Sequence, residues 1–196
     1  KDDIRRYLSV YSLFTPTEIE VLTGSKSEKS IQLIEYYYNL LNCKFYKTSA
    51  ERMMAIDQRM DLPDDLLLYT DKITMNFSVE CRVPLLDYDL MDFLDSLPLS
   101  YKVSMGKTKI IHREYAKLVL PKEIVDRPKL GFQSPTNIWF REAFEEVEHL
   151  LIGKDSKLLD YLDRKEIRNI LLQHKNGYNR DKQIFLLLGL RYWLDK

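Results

Sequence analysis

The sequence predicts an all-α protein, built as a compact helical array, and three observations lead to this fold class. Apolar residues recur at helical spacing through almost the whole chain of 196 residues. Apolar runs do not alternate with helical segments, as they do in domains built on a parallel sheet. Six glycines and seven prolines are too few for a turn-rich β sandwich. We therefore expect one helical domain over residues 1–196.

The first helices are marked by their apolar faces and by one complete set of end signals. Thr15 is the predicted N-cap of a short helix, with Pro16 at its first position. Glu18 completes a capping box with Thr15, and Gly24 marks the end of the helix. Helices are also expected in the first 14 residues and over residues 27–42, 49–60 with Ser49 as N-cap, and 63–77 beginning at Pro63.

The second half of the chain continues the helical pattern with short interruptions. Residues 100–106 are expected to be extended, and residues 122–134 to form a short helix followed by a loop. Ser134 and Pro135 are the predicted N-cap and first residue of the helix that ends at Gly153. The remaining helices are predicted over residues 87–98, 107–121, 134–153, 162–177 and 179–196.

The charge balance argues against nucleic acid as a partner. Thirty basic and thirty acidic side chains leave a formal net charge of zero, whereas nucleic-acid-binding proteins usually carry a basic excess. The sequence also lacks a basic recognition helix of the kind that a helix-turn-helix protein inserts into DNA.

The cysteines indicate the cellular compartment, the histidines bear on metal binding, and the apolar runs bear on membrane insertion. Cys43 and Cys81 are the only cysteines and form no CxxC motif, which favours a reducing cytoplasm. The three histidines lack the spacing of metal ligands, so we expect no metal site. The longest apolar run, residues 184–194, is shorter than the ~20 residues that span a bilayer, and we expect no membrane partner. The chain starts at Lys1 without an initiator methionine, so we expect a fragment or a processed product.

The segment SVECRVPLLD, residues 78–87, places three charges among apolar side chains between two predicted helices. Glu80 and Arg82 lie two residues apart, and Asp87 closes the segment. Charged groups that leave water need partners. The segment by itself is explained either by an ion-pair lock or by a binding site, and both explanations stay open at this point.

Two lysines lie at the predicted start of the helix over residues 107–121. Lys107 and Lys109 follow Gly106, where free N–H groups and the helix dipole already provide positive charge. A sequence that accepts further positive charge there is typical of an anion site, such as one for phosphate. Two solvent-facing lysines are the alternative. A Walker A loop is excluded because the position that requires its first glycine is occupied by Tyr101.

A third polar segment, DRPKLGF, spans residues 126–132. Arg127 and Lys129 flank Pro128, and Gly131 adds backbone freedom. Loops of this composition often carry binding groups on a rigid scaffold, so both basic residues are candidates for substrate binding. A solvated turn is the alternative.

Taken in order, these segments resemble the glutamine-hydrolysing asparagine synthetase family. The similar stretches are DLPDDLLLYTDKITMNFSVECRVPLLD, GKTKIIHRE and LPKEIVDRPKLGF. The opening YLSVYSLFTPTEIEVLTG and the closing QIFLLLGLRYWL are similar to the corresponding parts of the same family. The resemblance covers essentially the whole chain and falls on the C-terminal part of the family's synthetase domain.

The resemblance implies a two-part reaction in the full-length enzyme. A glutaminase with an N-terminal cysteine releases ammonia, and the synthetase adenylates aspartate with ATP and Mg and passes ammonia to the β-aspartyl-AMP. This chain has neither that cysteine nor the Ser-Gly-Gly-x-Asp-Ser pyrophosphate loop with its parallel sheet. The resemblance therefore implies the C-terminal helical part of an adenine-nucleotide α-hydrolase-like domain.

The missing parts lead to further expectations for the chain by itself. We expect it to bind no cofactor and to be inactive, because aspartate, ATP and ammonia would be held largely by the missing N-terminal part. Helices that normally cover a sheet would expose an apolar surface without it. We therefore expect a large exposed apolar patch or self-association into a homo-oligomer.

The resemblance also implies roles for particular residues. Lys109 matches the family lysine that contacts the phosphates and is the expected catalytic residue, with Lys107 in support. Glu80, Arg82 and Asp87 lie in the loop that the family places at the synthetase active site. There Arg82 can bind a carboxylate or phosphate through two hydrogen bonds, and Asp87 is expected to order the loop through local hydrogen bonds.

Two alternatives to an asparagine-forming ligase stay open. Relatives in the broader family form other amides, and their acceptor pockets differ in parts that this chain does not contain. A non-catalytic all-α binding or regulatory module would keep the scaffold without the chemistry. The reading frame upstream of Lys1 separates the catalytic from the non-catalytic alternative, since it either contains or lacks the pyrophosphate loop.

Overall fold

The computed structural model describes residues 2–26, 28–128 and 134–196. Within these ranges the regular structure is helical apart from one two-stranded hairpin, which confirms the predicted all-α class. The chain forms two compact units. The first combines Lys1–Glu35 with Gly131–Lys196, and the second is Tyr36–Leu130. The single domain expected over residues 1–196 stays a prediction.

Thirteen α-helices and two strands are numbered here in chain order over the described residues. The helices are α1 Asp2–Tyr11, α2 Pro16–Thr23, α3 Lys29–Leu40, α4 Ser49–Arg59, α5 Leu68–Met75, α6 Tyr88–Ser96, α7 Leu99–Lys102, α8 Ile110–Val119, α9 Lys122–Val125, α10 Thr136–Glu142, α11 Phe144–Ile152, α12 Arg164–Lys175 and α13 Asp181–Leu194. The strands are β1 Val103–Ser104 and β2 Lys107–Thr108. A π-helical turn covers Asp61–Leu67, and 3-10 turns cover Cys43–Phe45, Pro84–Leu86 and Lys157–Asp160.

The predicted end signals of α2 are confirmed. The Thr15 hydroxyl accepts a hydrogen bond from the Glu18 N–H, and the Glu18 carboxylate accepts one from the Thr15 N–H. Pro16 is the first helical residue. Gly24 ends the helix with a φ of 69°, a left-handed conformation that glycine adopts without the steric cost of a Cβ.

The core of the first unit forms where α2, α11, α12 and α13 meet. Leu151, Leu158, Ile167 and Ile184 are fully buried in it, and burial of an aliphatic side chain of this size stabilises a fold by roughly 1.5–3 kcal/mol. The remaining buried members of the cluster are Phe14, Leu22, Phe144, Val147, Ile152, Ile170, Leu171 and Leu187.

Polar contacts join the two sequence-distant parts of the first unit. The Asp163 N–H donates to the Leu22 carbonyl at 2.7 Å, and the Arg180 guanidinium pairs with the Glu18 carboxylate at 2.8 Å. These contacts connect α2 to the C-terminal helices, so the first unit depends on both ends of the chain.

The second unit buries fewer of its apolar side chains. In its described part, the fully or nearly fully buried ones are Cys43, Ala55, Ile56 and Val125. Many large apolar side chains of the same unit are exposed, for example Phe77, Tyr88 and Met105. Across all described residues, no helix is both long and apolar enough to cross a membrane.

Four predicted helix starts are wrong. Pro63 lies inside the π-helical turn Asp61–Leu67 and does not begin a helix, and the helix predicted from Lys107 begins at Ile110 because Lys107 and Thr108 form β2. Thr48, not Ser49, caps α4, because Glu51 stands three residues after Thr48 and completes a capping box with it. The helix predicted over residues 134–153 begins later, at Thr136, and Ser134 does not cap it. It also divides in two at Ala143, whose ψ of 34° leaves the helical range.

Candidate functional site

A short hairpin precedes α8 and sets the position of the lysines predicted to bind an anion. Ser104 pairs with Lys107 across β1 and β2, which leaves Met105 and Gly106 as the two turn residues. Gly106 has a φ of 71°, the left-handed conformation for which glycine is preferred. The expected extended segment is therefore shorter than predicted and folds back on itself.

Lys109 is the N-cap of α8 and has an unusual backbone. Its φ of 55° and ψ of 42° place it in the left-handed region, where a residue with a Cβ has a steric cost of roughly 1–2 kcal/mol. Its carbonyl accepts the hydrogen bond of the Arg113 N–H at 2.9 Å and so begins the helix. Strained non-glycine residues persist where the surrounding structure holds them, and they cluster at functional sites.

A pocket of about 320 Å³ lies against the hairpin and α8. Its walls are Gly106, Lys107, Thr108, Ile110, Arg113, Glu114, Lys117, Val125 and Asp126. Lys107, not Lys109, contributes the hairpin's basic group to this pocket. Two of the pocket's cations have protein partners: Lys117 pairs with Glu114 at 2.6 Å, and Arg113 donates to the Val125 carbonyl at 3.2 Å.

Glu80 and Arg82 form a two-pronged ion pair in the segment of residues 78–87. The Arg82 Nε donates to Glu80 Oε1 at 3.1 Å, and Nη2 donates to Oε2 at 3.2 Å. The Arg82 side chain is 82% exposed and that of Glu80 68% exposed. An exposed pair of this kind contributes about 0–1 kcal/mol to stability, so the pair does not lock the fold strongly. An incoming anion can compete for the Arg82 guanidinium at little cost.

Asp87 has a local structural role. Its carboxylate accepts a hydrogen bond from the Leu90 N–H at 3.2 Å and caps α6. This contact agrees with the expectation that Asp87 orders the loop. Pro84 begins the 3-10 turn that leads into the cap.

Five of the predicted site residues fall into two groups within the second unit. Over the described residues, the side-chain hydrogen bonds and ion pairs of Glu80, Arg82 and Asp87 stay within the segment 80–90. Lys107 and Lys109 form the second group, at the hairpin and the start of α8. Their assignment to one site stays a prediction.

The third predicted segment is only partly described. Arg127 follows α9 and is exposed, whereas Lys129 and Gly131 lie outside the described residues. Besides Lys117, sequence reasoning missed a second basic pocket residue, Arg113. Its signal was its place four residues after Lys109, which is one turn further along the same helix.

A second pocket of about 560 Å³ lies between α4 and the α6–α7 connection. Its two carboxylates, Glu51 and Asp95, are engaged in structural contacts. The Thr48 backbone N–H, and then its hydroxyl, lower the pKa of the Glu51 carboxyl, and Asp95 accepts a hydrogen bond from Gln58 at 3.3 Å and pairs with Lys102 at 3.8 Å. We therefore take the pocket beside α8 as the better candidate site.

The basic side chains around the hairpin suit phosphate oxygens. Lysine and arginine side chains donate hydrogen bonds and carry positive charge, as phosphate binding requires. In the part of the chain that the structure describes, no group of three or more His, Cys, Asp or Glu side chains could hold a metal.

Comparison with known proteins gives consistent matches. A sequence model of the asparagine synthase family matches residues 15–195. Glutamine-hydrolyzing asparagine synthetase 1 of Bacillus subtilis (strain 168) is 29% identical over 193 residues, which cover 91% of this chain and 30% of the relative. A putative glutamine-hydrolyzing asparagine synthetase of Mycobacterium bovis is 32% identical over 144 residues, which cover 72% of this chain and 22% of the relative.

The human glutamine-hydrolyzing asparagine synthetase is 28% identical over 149 residues, which cover 72% of this chain and 26% of the relative. The chain thus spans less than a third of the length of these curated relatives. No solved structure matches the chain.

Proposed function

Because the chain belongs to the asparagine synthase family, we propose that it forms the C-terminal helical part of a synthetase domain in an ATP-dependent, asparagine-forming ligase. In this reaction aspartate is adenylated by ATP and then amidated with ammonia taken from glutamine. The names of the relatives support glutamine-hydrolysing asparagine synthesis. The two cysteines, with no CxxC between them, favour a cytoplasmic location.

The observation that carries the site within this proposal is the backbone at Lys109. Lys109 is exposed, and its backbone lies in the left-handed region at the start of α8, directly after the hairpin; strained non-glycine residues of this kind cluster at functional sites. The same residue matches the family lysine that contacts the phosphates. An ammonium group fixed there stabilises negative charge as it develops on the transferring phosphorus.

Neighbouring residues have supporting roles in this proposal. Lys107 lines the pocket beside α8 and adds positive charge next to the phosphates. Arg82 exchanges the exposed Glu80 carboxylate for a carboxylate or phosphate of the substrates. ATP supplies the adenylyl group, and we assign no Mg ligand to this chain.

The test uses the full-length polypeptide that carries this chain, with pyrophosphate release as the assay. Lys109→Ala should lower turnover a few hundred-fold, because loss of one preorganised charge costs roughly 3–4 kcal/mol in the transition state. Lys109→Gly should have the same effect, although glycine accepts the left-handed backbone without strain. Lys109→Arg should recover little of the lost turnover, because a planar guanidinium does not replace a compact ammonium.

Two controls separate a lost charge from a damaged protein. Lys165→Ala removes an exposed lysine of α12 and should leave pyrophosphate release unchanged. Glutaminase activity and the circular dichroism spectrum should also persist in every Lys109 variant. Pyrophosphate release near the wild-type rate in Lys109→Ala would show that the site assignment is wrong.

The 196-residue chain by itself should release no pyrophosphate from ATP, aspartate and ammonia. Turnover by the pure chain would contradict the proposal that other parts of the enzyme are required. A full-length reading frame without a pyrophosphate loop would instead favour the non-catalytic helical module. Pyrophosphate release with an acceptor other than aspartate would identify a relative that forms a different amide.

A further inference from the structure

Arg113 connects α8 to α9 in the second unit. Its Nη1 donates a hydrogen bond to the Val125 carbonyl at 3.2 Å. Val125 is the last residue of α9 and is only 9% exposed. The carbonyls in the last turn of a helix lack intrahelical donors, so the Arg113 guanidinium supplies a partner that α9 cannot provide itself.

The same residue is bonded to the start of its own helix. The Arg113 N–H donates to the Lys109 carbonyl at 2.9 Å, and Lys109 is the N-cap with the left-handed backbone. Arg113 therefore contacts the backbone of Lys109 through its main chain and that of Val125 through its side chain. One residue thus holds both the start of α8 and the end of α9.

The segment that follows Val125 carries Arg127, which is also a candidate for substrate binding. Arg127 lies two residues beyond the carbonyl that Arg113 holds, and the Asp126 N–H donates to the Lys122 carbonyl at 2.9 Å. The end of α9 thus sets the direction in which the chain leads to Arg127. A free carbonyl at Val125 would allow this short helix of four residues to fray at its C-terminus.

Another cation on the same face of α8 does not make this connection. Lys117 lies one turn beyond Arg113 and lines the same pocket, but its ammonium pairs with Glu114 of its own helix. Arg113 and Lys117 share the pocket and differ in their partners, which makes Lys117 a matched control.

We propose that Arg113 is a positioning residue that holds the Arg127 segment in a fixed relation to Lys109, so that both basic groups act on one phosphate chain. This inference rests on the proposed function for its ligand, whereas the link between α8 and α9 rests on the geometry. Arg113 acts through the backbone of other residues and is distinct from the catalytic lysine.

The link is tested first by hydrogen exchange on the 196-residue chain. The Val125 and Asp126 amides are bonded within α9, and their exchange should be about fivefold faster in Arg113→Met, since a hydrogen bond contributes on the order of 1 kcal/mol. Arg113→Lys retains a donor and should change exchange less than about twofold. Lys117→Met should leave these amides unchanged. Arginine, lysine and methionine have similar helix propensities, so α8 itself should persist in all three.

The consequence for the reaction is tested in the full-length enzyme. Arg113→Met should raise the KM for ATP about fivefold and change kcat less than about twofold, because misplacement of a binding group weakens ground state and transition state together. This split differs from the loss of kcat expected for Lys109→Ala. In Arg113→Lys, the KM for ATP should stay close to the wild-type value.

Three results would overturn the inference. Unchanged exchange at Val125 and Asp126 in Arg113→Met would show that the link is not formed. A large loss of kcat with unchanged exchange would make Arg113 a direct contact of the reacting groups. Faster exchange with unchanged KM would show that the link has no bearing on ATP. Faster exchange together with a wild-type enzyme that releases no pyrophosphate would support the link and contradict only the proposed function.

Discussion

Acid should destabilise the first unit through one buried histidine, His174. This side chain is fully buried, and each ring nitrogen has a backbone partner. Nε2 lies 3.1 Å from the Asn137 carbonyl, and Nδ1 accepts the Arg180 N–H at 3.1 Å. Because the Arg180 N–H can only donate, Nδ1 must be unprotonated, and the network assigns the neutral ring with its proton on Nε2.

Burial lowers the pKa of His174 below its ordinary value of 6.5. The Asn137 carbonyl, Asp181 and the Tyr178 backbone act in the opposite direction, whereas the nearby Arg141 guanidinium adds to the lowering. A second proton on Nδ1 would face the Arg180 N–H and break the contact at the start of α13.

The sign and size of the effect follow from proton linkage. Between pH 6.5 and the lower pKa of the folded protein, the unfolded chain binds a proton at His174 that the folded chain does not. The free energy of unfolding therefore falls as the pH falls through this window, by at most about 1.4 kcal/mol per pH unit. Above pH 6.5 both states are neutral at this residue, so the stability is fully present there.

Urea unfolding at several pH values between 7.5 and 5.5 measures this slope. Trp139 and Trp193, the only tryptophans, lie in α10 and α13 of the first unit, so their fluorescence reports the unit that contains His174. His174→Asn should lose the slope while its side-chain oxygen still accepts from the Arg180 N–H. The absolute stability of this variant will also fall, because the Asn137 contact is lost, so the slope is the quantity to compare.

The matched control is His149→Asn, which removes an exposed histidine of α11 in the same unit and should keep the wild-type slope.

The pKa of Glu18 is also lowered: burial would raise it, but hydrogen bonds from Thr15 and the Arg180 guanidinium outweigh burial. Stability from Glu18 is present above its ordinary pKa of 4.5 and is lost below it, outside the measured range. A flat wild-type profile, or a slope that persists in His174→Asn, would refute the reasoning.

Two further predictions concern packing in each unit. Leu158→Ala should reduce the free energy of unfolding by about 2–5 kcal/mol in urea titration, because it leaves a cavity in the first unit's core. Leu172→Ala, at a half-exposed position of α12, should cost less than about 1 kcal/mol, and equal losses would contradict the core assignment. The 196-residue chain should self-associate, since Phe77, Tyr88 and Met105 of the second unit are 74%, 86% and 98% exposed. A single monomeric peak in size-exclusion chromatography at all concentrations would argue against association.

Local sequence signals predicted helix ends well where one motif decides the outcome. Thr15 and Glu18 form reciprocal hydrogen bonds within four residues of sequence, so no distant contact is needed to predict the start of α2. The error at α4 arose because Thr48 and Ser49 are both good caps. Glu51 distinguishes them, since it lies at the third helical position only if Thr48 is the cap.

Other features depend on contacts that a linear pattern does not contain. Nothing in the residue type predicts a left-handed backbone at Lys109, because lysine has no preference for it. The hydrogen bond of Arg113 joins α8 to a carbonyl twelve residues away. The spacing of the three histidines does not predict which of them is buried, and the burial of His174 follows from the way α10, α12 and α13 meet.

The two units also separate the tests of fold from the tests of function. His174 and Leu158 belong to the first unit, which has a continuous apolar core. Lys109, Arg113 and the pocket belong to the second unit, whose apolar side chains are largely exposed. Suppose that a Lys109 variant loses activity in the full-length enzyme, while the tryptophan unfolding curve of the 196-residue chain with the same substitution is unchanged. The loss of activity then does not come from a disrupted first unit. The tryptophan curve reports only the first unit, so hydrogen exchange at Val125 and Asp126 supplies the matching control for the second unit of the Lys109 variant.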